Sequence, residues 1–153
     1  MTFFASILSA EACQCKGLKK LRKAELLNAE SVFIGRVISV DSADSWNRVV
    51  VLEVIDNLKK DGRKKMSILT GGGMGDCGLP IKAGQEWYIF TQTIEGKVAA
   101  TICGRSMLLN DSLASISNMH GYDNFLFEKY SDNVRRVAEE IKYIRRKYST
   151  TVL

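Results

Sequence analysis

The chain has 153 residues, of which 46% are hydrophobic and 25% charged; this is the composition of one globular domain and excludes a disordered or collagen-like chain. At this length roughly 70% of the unfolded surface is buried on folding, so a core forms without metals or many disulfides. Lys+Arg 22 against Asp+Glu 17 gives a net charge of +5, which bears on solubility and on acidic partners and not on fold.

Residues 1–12 (Met-Thr-Phe-Phe-Ala-Ser-Ile-Leu-Ser-Ala-Glu-Ala) are mostly apolar and contain no Lys or Arg. Ala10 and Ala12 stand at the two positions a signal peptidase reads, so cleavage before Cys13 is expected and 1–12 is read as a signal-peptide remnant. The segment is too short to cross a membrane, and shorter than the ~15–30 residues of a full signal, which implies a longer leader upstream. An amphipathic or disordered tail is the alternative. Lipidation of Cys13 is a minor option, against which Ala10 and Glu11 stand. Loss of 1–12 removes only Glu11 from the charge count, giving +6. No later apolar run approaches the ~20 residues of a transmembrane helix, so a soluble mature chain, secreted or periplasmic, is expected.

Gly17 to Asn28 puts Leu18, Leu21 and Leu26 on one helical face and Lys19, Lys20, Arg22 and Lys23 elsewhere, predicting a short basic helix on the core. From Ser31 the pattern turns to β. Val32–Val40 and Arg48–Ile55 flank the turn residues Asp41-Ser-Ala-Asp-Ser and predict a hairpin. Lys64–Thr70, Glu86–Thr93 and Lys97–Ile102 add three strands, the last two joined at the turn signal Glu95-Gly96. Five strands fit a small Greek-key barrel. Ser131-Asp132 is an N-cap pair before a helix at about 132–148, in which Val134, Val137, Ile141, Ile144 and Tyr148 form one apolar stripe. Arg135, Arg136, Lys142, Arg145, Arg146 and Lys147 occupy its other faces. No repeat, low-complexity run or linker divides 13–153, which reads as a single domain.

The cysteines stand at 13, 15, 77 and 103. Only the first pair is close, with one residue between them, which does not fit a Cys₄ zinc site, and no thioredoxin-like βαβ pattern surrounds it. In extended backbone Cys13 and Cys15 point to the same side and reach different partners. Of the three possible pairings, the two that staple the N-terminus to Cys77 and Cys103 suit an oxidising compartment, each bond contributing ~4 kcal/mol in the chain-entropy model. Gly71–Gly75 lacks the Lys-Ser/Thr of a P-loop and reads as backbone passing close to another segment beside Cys77. His120 is the lone histidine, which argues against a triad or metal site, and Asp76, Glu53 and Glu86 are scattered. No enzyme is expected. The basic residues lack interleaved aromatics, so they read as solvated faces and not as a nucleic-acid footprint.

Ala-x-Ala before Cys13-Gln14-Cys15, a short helix, the strand Ser31-Val-Phe-Ile-Gly-Arg-Val-Ile, Asp76-Cys77-Gly78, Gly84-Gln-Glu-Trp-Tyr-Ile-Phe90, Gly96 and Thr101-Ile-Cys103 follow in order. This series resembles the netrin module, and most closely the N-terminal inhibitory domain of the tissue inhibitors of metalloproteinases, over about residues 13–130. The resemblance implies a five-stranded OB-fold barrel with packed helices, and disulfides Cys13 to Cys77 and Cys15 to Cys103. It also implies a monomer with no cofactor or metal of its own, whose Cys13 α-amine and carbonyl chelate the catalytic zinc of a target metalloproteinase. An α-amine with a pKa of ~7.7–8.0 loses its proton readily on metal binding. Gln14 would enter the primary specificity pocket, while Lys16, Gly75 and Asp76 would complete a wedge held by Cys15 and Cys77. The chain departs from the family in having Gln14 where Ser or Thr is usual and Gly17 where Pro is usual. It also lacks a further cysteine pair near Leu26 and Leu27, and has a basic helix in place of a cysteine-rich C-terminal domain. The alternative is a non-inhibitory netrin-type extracellular module that binds acidic polysaccharide, membrane surface or protein, with the basic C-terminal helix as the polyanion site. An intracellular OB-fold nucleic-acid binder would require reduced cysteines.

Overall fold

The computed structural model describes residues 13, 15–72, 76–110 and 123–149, with side chains from 131 to 148 in the last segment. Two long β-branched runs set the architecture. β1 (Val32–Ser42) and β2 (Asn47–Asn57) pair antiparallel, and Asp44 turns the chain between them by accepting the N–H groups of Trp46 and Asn47, each at 2.8 Å. Irregularities in register at Ile34/Gly35 and Val37/Ser39 bend β1. At the first of these a side chain is excluded: a Cβ on Gly35 would lie 2.8 Å from the Phe33 ring and 2.9 Å from the Glu53 carbonyl oxygen.

β3 (Lys65–Gly71), β4 (Glu86–Phe90), β5 (Gln92–Ile94), β6 (Lys97–Ala99) and β7 (Met107–Leu108) complete one curled mixed sheet in the order β5-β6-β3-β2-β1-β4-β7. All neighbours are antiparallel except β3 and β6, which are parallel. The turn at Glu95-Gly96 forms as the sequence predicts, with φ of 50° and 74° at the two residues. The strand count differs from the five expected, because the predicted run 86–93 is broken at Thr91 and a short strand at 107–108 is added. Thr91 and Ser31 are fully buried and lock together. The Thr91 hydroxyl accepts the Ser31 N–H at 2.7 Å and donates to the Ser31 carbonyl at 2.9 Å, and the Thr91 N–H donates to the same carbonyl at 3.1 Å. Beyond this lock the chain leaves β1 and joins β6.

Alternation along the strands divides the buried side chains into two clusters. Phe33, Val37, Leu52, Ile68, Trp87 and Ile89 lie inside the curl, with Leu79 and Ile81 from the loop after β3 closing it. Val32, Tyr88 and Phe90 face the other way and pack with Leu21, Leu26, Val137 and Ile144. β4 is therefore buried on both faces, which explains its uninterrupted apolar run.

The helices differ from their expected bounds. α1 is Lys23–Asn28, shorter than the predicted 17–28. The Lys19 carbonyl, which a longer helix would use internally, instead accepts a hydrogen bond from Arg105 Nη2 at 2.8 Å, and Arg22 is extended. α2 is Asp123–Ser149, beginning nine residues before the predicted 132, so Ser131-Asp132 lies inside it. No Gly or Pro in 123–130 stops a helix there, and Asp132 pairs with Arg135 at 3.6 Å in place of capping. Its predicted stripe docks in part: Val137 and Ile144 are buried and Ile141 and Tyr148 partly so, while Val134 is exposed.

Candidate functional site at the disulfide-pinned segment

Residues 15–22 form a strap outside any helix or strand, with a fastening near each end. At the first end, Cys13 is joined to Cys77 and Cys15 to Cys103, with Cα separations of 5.2 and 4.9 Å. Of the two pairings that staple the N-terminus, this is the one the family resemblance implies. The bonds lie side by side: Cys13 Sγ is 3.3 Å from Cys103 Sγ and 3.8 Å from Cys15 Sγ, and Cys77 Sγ is 3.8 Å from Cys103 Sγ.

At the far end Arg105, itself buried, grips the strap and both helices. Its Nε and Nη2 donate to the two oxygens of Glu25 at 2.6 and 2.8 Å, while Nη1 pairs with the buried Glu140 of α2. Glu140 also accepts from Tyr88 Oη and from Arg136 Nη1, each at 3.0 Å. The hydrogen bond from Arg105 holds the Glu25 carboxyl below the ordinary carboxylate range. Burial, reinforced by the Glu140 charge, pushes the Tyr88 phenol far above its ordinary value, so it stays a donor.

The loop that carries Cys77 is braced independently. Arg48 of β2 donates to the carbonyls of Gly71 and Leu79, Leu79 N–H donates to Thr70 Oγ1 at 2.8 Å, and Ile102 N–H donates to the Cys77 carbonyl at 2.9 Å. Cys77 has a φ of 61°, left-handed backbone that a non-glycine residue adopts only when its surroundings enforce it. Asp76 turns its carboxylate back into this loop, where it accepts from Gly72 N–H at 2.5 Å and Gly78 N–H at 3.1 Å. A Cβ on Gly71 would come within 2.5–2.7 Å of that carboxyl group. The glycine at 71 thus makes room for Asp76, a side chain of the same loop, while the expected close approach to another segment is seen at Gly72, whose N–H donates to the Trp46 carbonyl at 2.8 Å.

Of the residues the sequence assigns to a target-binding wedge, the structure brings together Cys13, Cys15, Lys16, Asp76 and Cys77. Gln14, Gly75, His120 and residues 1–12 lie outside the described residues. Lys16 is exposed and lines an open cavity of about 900 Å³ together with Cys15, Cys103 and Arg136. Gly17 has open space around its Cβ position and a φ outside the left-handed region, so nothing in the packing requires glycine there. Past Asp76, a second cavity of about 370 Å³ is flanked by Asp44, Lys97 and Trp46, the last 71% exposed. Sequence reasoning missed Arg48, Arg105 and Trp46; the signal for Arg48 was a cation at the head of an apolar strand, and for the other two there was none.

All four sulfurs are in disulfides, so none is a free nucleophile or ligand, although those of Cys13, Cys77 and Cys103 lie within 4.8 Å of one another. Two disulfides fit an oxidising compartment. Among the described residues no helix is long and apolar enough to cross a membrane. No family model matches the chain, and no curated protein matches it.

Proposed function

We propose that the chain is a secreted inhibitor of zinc metalloproteinases built on a five-stranded OB-type barrel. One observation carries this reading: adjacent disulfides hold both cysteines of the Cys13-x-Cys15 segment against two loops that are also hydrogen-bonded to each other. After cleavage before Cys13, that residue supplies a free α-amine and a carbonyl oxygen from an anchored position. A catalytic zinc keeps one site open for water, and these two atoms displace that water. The anchoring removes ordering cost at the moment of binding, the advantage of a preorganised wedge. Gln14, Lys16, Gly75 and Asp76 flank the chelating residue in this reading.

Connectivity supports the barrel reading. β4 and β5 are separated by Thr91 alone, and counted as one bent strand they neighbour β1 at one end and β6 at the other. The neighbour order then closes on itself, with β7 as an added edge, in the manner of a partly open five-stranded barrel.

The test is inhibition of a panel of zinc proteases by purified chain beginning at Cys13. Inhibition that disappears on acetylating the α-amine, or when residues 1–12 remain attached, supports the proposal. No inhibition, or equal inhibition by the acetylated protein, overturns it. The second reading is a non-inhibitory module that binds polyanions. It is favoured by the exposed Arg135, Lys142 and Arg145 side chains on α2, although each has an acidic partner. Retention on a polyanion column that is lost at moderate salt, with no effect on zinc proteases, selects it.

A further inference from the structure

The four sulfurs form a tighter group than two independent staples require. Each disulfide restrains a different loop, yet Cys103 Sγ approaches both sulfurs of the other bond, Cys13 at 3.3 Å and Cys77 at 3.8 Å. Cys15 is the exposed member of the group, whereas Cys13, Cys77 and Cys103 are half-buried. The open cavity of about 900 Å³ beside Cys15 and Cys103 admits a small thiol; its charged lining is Lys16, Arg136, which is paired with Glu140, and Asp132, so Lys16 next to Cys15 is the cation that favours a thiolate there.

We infer that the two disulfides form an exchange relay, in which reduction at the exposed bond moves the anchor of Cys13 from Cys77 to Cys103. A dithiol attacks Cys15 Sγ, forming a mixed disulfide and releasing Cys103 as thiolate. That thiolate lies beside the Cys13–Cys77 bond and, once its side chain swings into line with the bond, attacks the nearer sulfur, Cys13 Sγ; the Cys13–Cys103 bond forms, the Cys13–Cys77 bond breaks, and Cys77 leaves as thiolate and takes up a proton. The second thiol of the reductant then resolves the mixed disulfide, and Cys15 is protonated. In total the dithiol loses two electrons and two protons to become a disulfide, and the protein gains two thiols, at Cys15 and Cys77, while keeping one disulfide. The loop around Cys77 loses its tether to the N-terminal segment although only one bond has been reduced. Under the proposed inhibitory reading, whose failure would leave the exchange chemistry untouched, this uncouples the chelating residue from the Asp76 side of the wedge.

The experiment uses the native chain treated with one equivalent of dithiothreitol, quenched in acid, alkylated with N-ethylmaleimide and mapped by peptide mass spectrometry. Species with two labels are expected to carry them at Cys15 and Cys77, with loss of label at Cys103 and a Cys13–Cys103 linked peptide. Label predominantly at Cys15 and Cys103 shows simple reduction without relay and overturns the proposal, as does any other predominant pair. Because protease inhibition is not read, a failed relay and a failed inhibitor assignment are separate results.

Discussion

Replacing Arg105 with methionine tests the idea that one buried cation clips the strap and both helices to the sheet. The substitution keeps most of the apolar volume and removes the charge. It leaves Glu140 buried, with Arg136 and Tyr88 as remaining partners, each at 3.0 Å. Breaking a buried ion pair costs about 3–5 kcal/mol when the surviving charge is stranded, and the two remaining partners place this case near the low end, about 3 kcal/mol. For a domain of this size that lowers Tm by on the order of 10 °C. Glu25 adds a pH signature. Its folded pKa is held below the ordinary 4.5, so its contribution is present above that value and is lost as pH falls through the lower folded value. In Arg105→Met this acid-side loss of stability should shrink. The assay is urea unfolding followed by circular dichroism at pH 7 and across the acid range, with Glu140→Leu and the double variant Arg105→Met/Glu140→Leu alongside. Removing both charges of the pair should restore at least about 1 kcal/mol relative to the sum of the single variants, since they share one network. A cost under about 1 kcal/mol for Arg105→Met, or strict additivity in the double variant, would refute the reasoning.

Other expectations follow from packing. Ile144→Ala should cost about 2–5 kcal/mol in denaturant unfolding, because its side chain is fully buried between α2 and the sheet, whereas Val134→Ala on the same predicted stripe should change stability by less than about 0.5 kcal/mol. Gly35→Ala forces a methyl group against the Glu53 carbonyl and the Phe33 ring, and a thermal melt should register a loss of about 1–3 kcal/mol. Asp76→Ala leaves the N–H of Gly78 without its carboxylate acceptor and should lower stability by about 1–3 kcal/mol, while Gly71→Ala, which displaces the same carboxylate, should be non-additive with it in a double-mutant cycle.

The strands were legible because β-branched residues cluster where the sheet forms, and the Glu95-Gly96 turn because its backbone demands residues that tolerate positive φ. The break at Thr91 was not, since threonine is a good strand residue and only its contacts with Ser31, sixty positions earlier, turn it into a bend. The start of α2 was misplaced for a related reason: Ser131-Asp132 has the chemistry of a cap, but local cap preference yields when the residues before it also continue the helix. Val134 shows the limit of periodicity, which identifies a face but not how far along the helix the partner surface extends. At the candidate site, cysteine count and spacing reduced three pairings to two, and the structure selects one. Asp76 was found by motif, yet its carboxylate is turned inward to shape the loop, a role that no spacing announces.

The two fastenings of the strap have a common origin. Cys103 bonds Cys15, and Arg105, two residues further on, holds the Lys19 carbonyl and Glu25, so one short segment governs both ends of residues 15–22. Under the proposed inhibitory reading, Cys13 is held directly by its bond to Cys77, and the docking of α2, which supplies Glu140 to Arg105, steadies the strap that leads away from it. The two disulfides fix residues 13 and 15 and leave the strap beyond them free to swing; the Arg105 grip removes that freedom. Weakening the Arg105 cluster should then leave the chemistry of the Cys13 amine intact and raise the ordering cost of binding, so that inhibition in Arg105→Met is weakened without being abolished. The acetylated chain is the opposite case, with the scaffold intact and the ligand atom blocked. Measuring the inhibition constant for both against the same zinc protease separates the contribution of the scaffold from that of the chelating atoms, and unchanged inhibition by Arg105→Met would show that the strap has no positioning role.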